Sequence, residues 1–127
     1  MKKLPQFGDK YSKEAVFNPD DFFRYIQKKT GPADHAPPEG VIFCYQSSLY
    51  GQILKNHEGR KGDGYYRNLY FLKEYDFKIA VAAQFGIGAP AAVALLEELI
   101  AVGVKRVISI GSAGGLQLGL PIGGLVI

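Results

Sequence analysis

The sequence predicts an α/β fold in which a mixed, partly parallel central sheet is flanked by helices. Three observations predict it. A continuous apolar run at residues 41–45 follows a glycine and is typical of a buried strand. A strand–helix–strand pattern occupies residues 77–110, and crossovers of this kind join parallel strands. A short polar turn at residues 73–76 separates two further strand patterns, which favours antiparallel pairing.

The composition is that of one globular domain. Of the 127 residues, 47% are hydrophobic and 21% are charged, which excludes long-range disorder. The net charge is +3 and the charges are interspersed, so no nucleic-acid partner is indicated. Polar residues, glycines and a proline interrupt the most apolar region, and no membrane span is predicted. The single cysteine, Cys44, and the lack of a signal peptide favour a cytoplasmic protein.

The first elements follow an irregular arm at residues 1–17. Asn18 can cap a helix and Pro19 fits its first position, and this helix ends at residues 31–32. After the strand at 41–45, Ser47 or Ser48 is expected to cap a second helix that ends near residue 57.

The second half of the pattern is more regular. A loop is expected at residues 60–64 and an aromatic strand at 65–72. A strand at 77–85, a helix opened by Pro90 and closed by Gly103, and a strand at 105–110 form the crossover unit. A last strand is predicted at roughly 120–127. We expect residues 1–39 to form an arm with a short helix and residues 40–127 to form the α/β domain.

Two glycine loops follow two parallel strands that we expect to be neighbours in the sheet. The first contains Gly86 and Gly88, and the second runs from Gly111 to Gly115. Ligands bind at the carboxyl ends of parallel strands, so both loops are predicted at one edge. In the second loop, successive backbone N–H groups can bind an anion, and the Ser112 hydroxyl can donate to a phosphate or sugar oxygen.

A dinucleotide site is one interpretation of the first loop. Residues 86–91 match Gly-x-Gly-x-x-Ala between a strand and a helix. The acid that would hold the ribose is absent from the end of the next strand, which disfavours an NAD-type oxidoreductase. The alternative is that Gly86 and Gly88 only permit a tight strand-to-helix turn.

The ordered motifs resemble the purine/uridine phosphorylase family of nucleoside phosphorylases and related nucleosidases. The resemblance covers about residues 40–127. Its motifs are Gly-Ile-Gly-Ala-Pro at 86–90, Glu-Glu-Leu-Ile at 97–100, Gly-Ser-Ala-Gly-Gly at 111–115 and Ile-Gly-Gly-Leu-Val-Ile at 122–127. It implies a barrel-like mixed sheet and phosphorolytic cleavage of the N-glycosidic bond of a purine or pyrimidine nucleoside, giving a free base and ribose 1-phosphate.

The resemblance also implies roles for individual residues. Gly111, Ser112 and Arg67 would bind phosphate, with Arg67 reaching a neighbouring subunit's site; otherwise Arg67 is a solvated charge. Gly86, Ile87, Ala113 and Gly114 would line the nucleoside. The family's general acid would lie beyond residue 127, in a second half of the protein, so no catalytic residue is assigned and this segment alone could lack activity.

Phosphate is then a co-substrate, no cofactor or metal is expected, and a homo-oligomer is implied. His35 and His57 have no metal-ligand spacing and are expected to be solvated.

Alternatives to phosphorolysis remain open. The family's phosphate-binding arginines have no counterpart at residues 45–51, and Ser109 stands where the second would be. A nucleosidase also lacks these arginines, but the glutamate that orients its water is missing here too. A non-catalytic family member that binds a nucleoside or a protein is the other alternative.

Overall fold

The computed structural model describes residues 15–32 and 36–126, which form one five-stranded sheet with helices on both faces. The strands are β1 (Gly40–Cys44), β2 (Gly59–Lys61), β3 (Leu69–Leu72), β4 (Ile79–Ala83) and β5 (Arg106–Ile110). The helices are α1 (Pro19–Thr30), α2 (Ser47–Asn56) and α3 (Ala89–Ala101). In the order β2-β3-β4-β1-β5, strands β4, β1 and β5 are parallel, whereas β3 is antiparallel to β2 and β4. The predicted mixed, partly parallel α/β fold is confirmed.

Helix α1 begins and ends where its sequence signals predict. Asn18 is the N-cap residue, and its backbone N–H donates to the Asp21 carboxylate over 3.1 Å. Gly31 follows the last turn with φ 83°, a conformation that glycine adopts without strain. The ring of Phe23 lies 5.0 Å from that of Tyr65, edge to face, so α1 packs on the domain core.

Each face of the sheet has its own apolar cluster because strand side chains alternate. In β1, Val41 and Phe43 contribute to one cluster, while Cys44 and the half-buried Ile42 lie in the other. Helices α1 and α3 cover the first face through Leu95 and Leu99 among others, and α2 covers the second. The crossover connections of β1 and β4 therefore leave toward opposite faces, which opens a crevice at the carboxyl ends of these two strands.

Several predicted boundaries were wrong for local reasons. Residue 46, not a serine, is the N-cap of α2, and Ser47 is already helical. The predicted loop at 60–64 overlaps β2, which is held in the sheet by pairing with β3. Residues 64–66 form a 3₁₀ turn instead of the start of a strand. This turn points Tyr65 into the core, where its hydroxyl donates to the Glu98 carbonyl over 2.9 Å.

The strand predicted at residues 120–127 is absent from its described part. Residues 120–126 form turns and irregular backbone with exposed side chains, and residue 127 lies outside the described ranges. Gly119 and Gly123 have φ values of 98° and 84°, and Pro121 lacks a backbone donor, so this stretch does not continue as a strand. Of the helices in the described ranges, none has the length and apolarity needed to cross a membrane.

Candidate functional site at the carboxyl edge of the parallel strands

Three chain segments meet at one edge of the sheet, where β4, β1 and β5 end. Residues 45–46 leave β1 and lead into α2, residues 84–88 leave β4 and lead into α3, and the glycine loop 111–115 leaves β5. The expected adjacency of β4 and β5 was wrong, because β1 lies between them and pairs with both. The two glycine loops therefore flank the β1 exit. Both nonetheless lie at the predicted edge.

Two side-chain hydrogen bonds join the β1 exit to β5 and its loop. The Gln46 Nε2 amide donates to the Ser112 Oγ over 2.7 Å. Nearby, the hydroxyl of Ser109 in β5 donates to the phenol oxygen of Tyr45, the residue directly after β1, over 2.9 Å. Tyr45 and Gln46 were assigned no role from the sequence, although the rule that ligands bind at strand ends applies to β1 as much as to β4 and β5.

A cavity of about 410 Å³ opens between the β1 and β4 exits. Its lining consists of uncharged residues: Cys44, Tyr45, Gln46, Ser47, Ala83, Gln84, Phe85, Gly86 and Ile87. The Phe85 ring packs against Phe43 and Tyr45, with centroid distances of 5.2 and 5.5 Å. Aromatic packing of this kind fixes one wall, while amide and hydroxyl groups supply hydrogen-bonding capacity.

The first glycine loop has a backbone that few residues could adopt. Gly86 and Gly88 have φ values of 119° and 86°, and Gln84 also has a positive φ of 57°. A Cβ at residue 86 would lie 2.9 Å from the Ala91 Cβ, so the loop needs glycine for both conformation and space. Ile87 is 98% exposed at the mouth of the cavity.

The second glycine loop leaves space for a close approach. Ala113 and Gly114 are exposed, and no heavy atom lies within 4 Å of the position of a Cβ at Gly114. A Cβ added at Gly111 would lie 3.6 Å from the Tyr45 ring. Gly111 and Ser112 are therefore brought beside the β1 exit.

The N-termini of α2 and α3 open toward the same edge. The first N–H groups of a helix have no intrahelical partner and carry a partial positive charge. Neither helix has an acidic residue in its first turn or a side-chain cap that would satisfy these donors. This arrangement attracts negative charge without a cationic side chain.

Arg67 lies at the same end of the sheet but apart from the glycine loop. The neighbouring Asn68 carbonyl accepts a hydrogen bond from the Ala83 N–H over 3.4 Å, which places Arg67 near the end of β4. Within the described residues no hydrogen bond or ion pair joins Arg67 to Gly111 or Ser112. Arg67 acts electrostatically on Glu98 of α3. Burial raises the pKa of the Glu98 carboxyl, and the positive charge of Arg67 partly opposes this rise.

Replacing Glu98 with glutamine is expected to stabilise the protein at pH 7–8 and to change little near pH 4. Because burial raises the Glu98 pKa above the usual 4.5, the folded state binds this proton more tightly than the unfolded state. Stability linked to the proton is present at low pH and is lost as pH rises through the raised pKa. We expect a small increase in Tm at pH 8 and little change near pH 4, since solvent screens this partly exposed carboxyl. Thermal unfolding across pH tests this, with Glu97→Gln on exposed Glu97 as control; equal gains at both pH values would contradict it.

The histidines do not contribute to this edge in the described part of the molecule. The His57 Nδ1 lies 2.7 Å from the Glu74 carboxylate, at the rim of an apolar hollow where β1 and β4 begin, and His35 lies outside the described residues. Among the residues that the structure describes, no group of three or more His, Cys, Asp or Glu could hold a metal ion.

Fold and site together define an α/β protein whose candidate ligand-binding edge is built from strand exits and helix N-termini. The family model described as the phosphorylase superfamily matches residues 45–127, about two thirds of the chain. The chain belongs to this superfamily, which agrees with the resemblance to purine/uridine phosphorylases. No curated protein and no solved structure matches this chain significantly.

Proposed function

We propose that this protein takes part in the phosphorolytic cleavage of the N-glycosidic bond of a purine or pyrimidine nucleoside. The products are the free base and ribose 1-phosphate, and phosphate is the co-substrate. The chain belongs to the phosphorylase superfamily, and the ends of β4, β1 and β5 meet at one edge of its sheet. This meeting, with Ser112 in the loop after β5, is the observation that supports the proposal most.

Within one subunit, the physical basis for phosphate binding would be dipolar rather than ionic. Unpaired N–H groups at the start of α2, the backbone of the 111–115 loop and the Ser112 hydroxyl can all donate to phosphate oxygens. A phosphate oxygen then forms a bond to the ribose C1′ while the C1′–N bond breaks and the base leaves with the electron pair, taking up a proton. Gly86, Ile87, Ala113 and Gly114 would border the nucleoside, because they flank the same edge.

Arg67 would add a guanidinium to the site of a neighbouring subunit in a homo-oligomer. Its position at the strand end, without a hydrogen bond or ion pair among the described residues, leaves the side chain able to reach another copy. A guanidinium can bind phosphate through two hydrogen bonds.

The test is base release from inosine or uridine, measured with and without inorganic phosphate. Release that requires phosphate, with ribose 1-phosphate as the second product, is the expected result. Light scattering on the same sample tests the homo-oligomer. Absence of base release in both conditions, measured on a protein that carries the second half implied by the family resemblance, would overturn the proposed function, and stabilisation by nucleoside without turnover would favour a non-catalytic binding protein.

Hydrolysis is a second candidate, favoured by the absence of Lys and Arg among the described residues that line the 410 Å³ cavity. A neutral lining suits water as the acceptor better than a phosphate dianion, which binds most strongly to charged donors. Base release that is equal with and without phosphate, with free ribose as the product, would establish hydrolysis instead.

A further inference from the structure

Gln46 links three parts of the candidate site through one hydrogen bond. It is the second residue after β1 and the N-cap residue of α2. Its Nε2–H donates to the Ser112 Oγ in the loop after β5. The two residues are 66 positions apart in the chain. The bond length of 2.7 Å lies at the short end of the ordinary range for an N–H···O hydrogen bond.

This bond determines which way the Ser112 hydroxyl can act. A serine hydroxyl has one donor proton and two acceptor lone pairs. Because Gln46 occupies a lone pair, the Ser112 proton is directed elsewhere and remains available to a ligand. The pair therefore presents Ser112 as a donor, which is the role an oxyanion requires.

The same bond anchors the second glycine loop. All described residues from 111 to 126 are exposed, and the loop has few neighbours that could hold it in place. Among the described residues, Gln46 makes the side-chain hydrogen bond that connects this loop to the body of the sheet. Loss of this bond would free the Ser112 hydroxyl to rotate and the loop to move.

We infer that Gln46 is a positioning residue that holds the Ser112 hydroxyl as a hydrogen-bond donor toward a tetrahedral oxyanion at this edge. The inference rests on the proposed function, since it concerns the same phosphate subsite. A neutral side chain that contacts Ser112 would then contribute to the binding of an anion at this edge.

The decisive variant is Gln46→Glu, which keeps the shape of the side chain and replaces the amide donor by a carboxylate. The carboxylate can only accept, so it would draw the Ser112 proton toward itself and repel an anion. Once protonated at low pH, the glutamic acid is neutral and can donate again. Gln46→Met removes the donor at similar length and carries no charge that pH could change.

Inorganic sulfate is the probe because it has the tetrahedral shape of phosphate and stays a dianion from pH 4 to pH 8. Its affinity is measured by calorimetric titration, without turnover. We expect Gln46→Glu to weaken binding at pH 7 by about tenfold or more and to recover much of it near pH 4. Gln46→Met should weaken binding at both pH values. The matched control, Gln52→Glu, adds the same charge on the exposed side of α2 and should bind sulfate almost as the unaltered protein does.

The inference is overturned if the unaltered protein binds no sulfate, if both Gln46 variants bind it normally, or if the Gln46→Glu loss is the same at both pH values. The last result would indicate a purely structural defect. A protein that shows the expected pattern but releases no base would overturn only the proposed function. A protein that releases base, but whose sulfate affinity does not change in either Gln46 variant, would overturn only this inference.

Discussion

Replacing Phe71 with alanine is expected to lower the free energy of unfolding by about 3–5 kcal/mol, a large part of the total stability of a typical domain. Phe71 is 0% exposed in the middle of β3. It pairs with Ala80 of β4, and its ring lies 5.9 Å from that of Tyr66, edge to face. Truncation would remove the contacts of the whole ring and leave a cavity where β3 meets the apolar cluster covered by α1 and α3.

Urea unfolding followed by circular dichroism measures this loss. Tyr25→Ala is the control, because it also removes an aromatic ring but from the exposed side of α1, where a change of roughly 0.5 kcal/mol or less is expected. Equal midpoints for Phe71→Ala and Tyr25→Ala would show that the cluster covered by α1 and α3 is not the main source of stability.

Replacing Gly86 with alanine is expected to damage both stability and ligand binding. The backbone there has φ 119°, which an L-residue rarely adopts, and the new Cβ would lie 2.9 Å from that of Ala91 in α3. We expect a loss of about 1–3 kcal/mol. Because the loop must shift to relieve the contact, the cavity between the β1 and β4 exits should change shape and nucleoside affinity should fall.

Gly51→Ala is the matched control for this change. Gly51 lies inside α2, and no heavy atom lies within 4 Å of the position of an added Cβ. Alanine there should stabilise the protein by about 0.5–1 kcal/mol, since glycine is the weaker helix former. Thermal unfolding and nucleoside-induced stabilisation are compared for both variants. Gly86→Ala with unaltered stability and binding would refute the role given to this loop.

Local sequence signals were sufficient where neighbouring residues set the structure. Asn18 and Pro19 marked the start of α1, and Pro90 and Gly103 bracketed α3. The apolar run of β1 and the crossover from β4 to β5 were also predicted, because strand alternation and helix capping depend on residues a few positions apart. The motif succession led to the superfamily that the family model confirms for residues 45–127.

The same signals failed where distant residues compete. Tyr65 has high strand propensity, yet it lies in a 3₁₀ turn because its ring and hydroxyl are satisfied in the core beside α3. The Gly59–Lys61 segment is a strand because β3 offers it backbone partners. In both cases tertiary contacts outweigh local preference, which differs between conformations by about 1 kcal/mol.

The sequence by itself determined that this protein is α/β, where most of its helices and strands lie, and that glycine loops with Ser112 follow two parallel strands. Only the tertiary structure decided that β1 lies between those strands and that Gln46 reaches Ser112 across 66 positions. Backbone propensity and side-chain periodicity are properties of a short window of chain. Strand order and the meeting of distant side chains depend on how the whole sheet and its helices bury their apolar faces together.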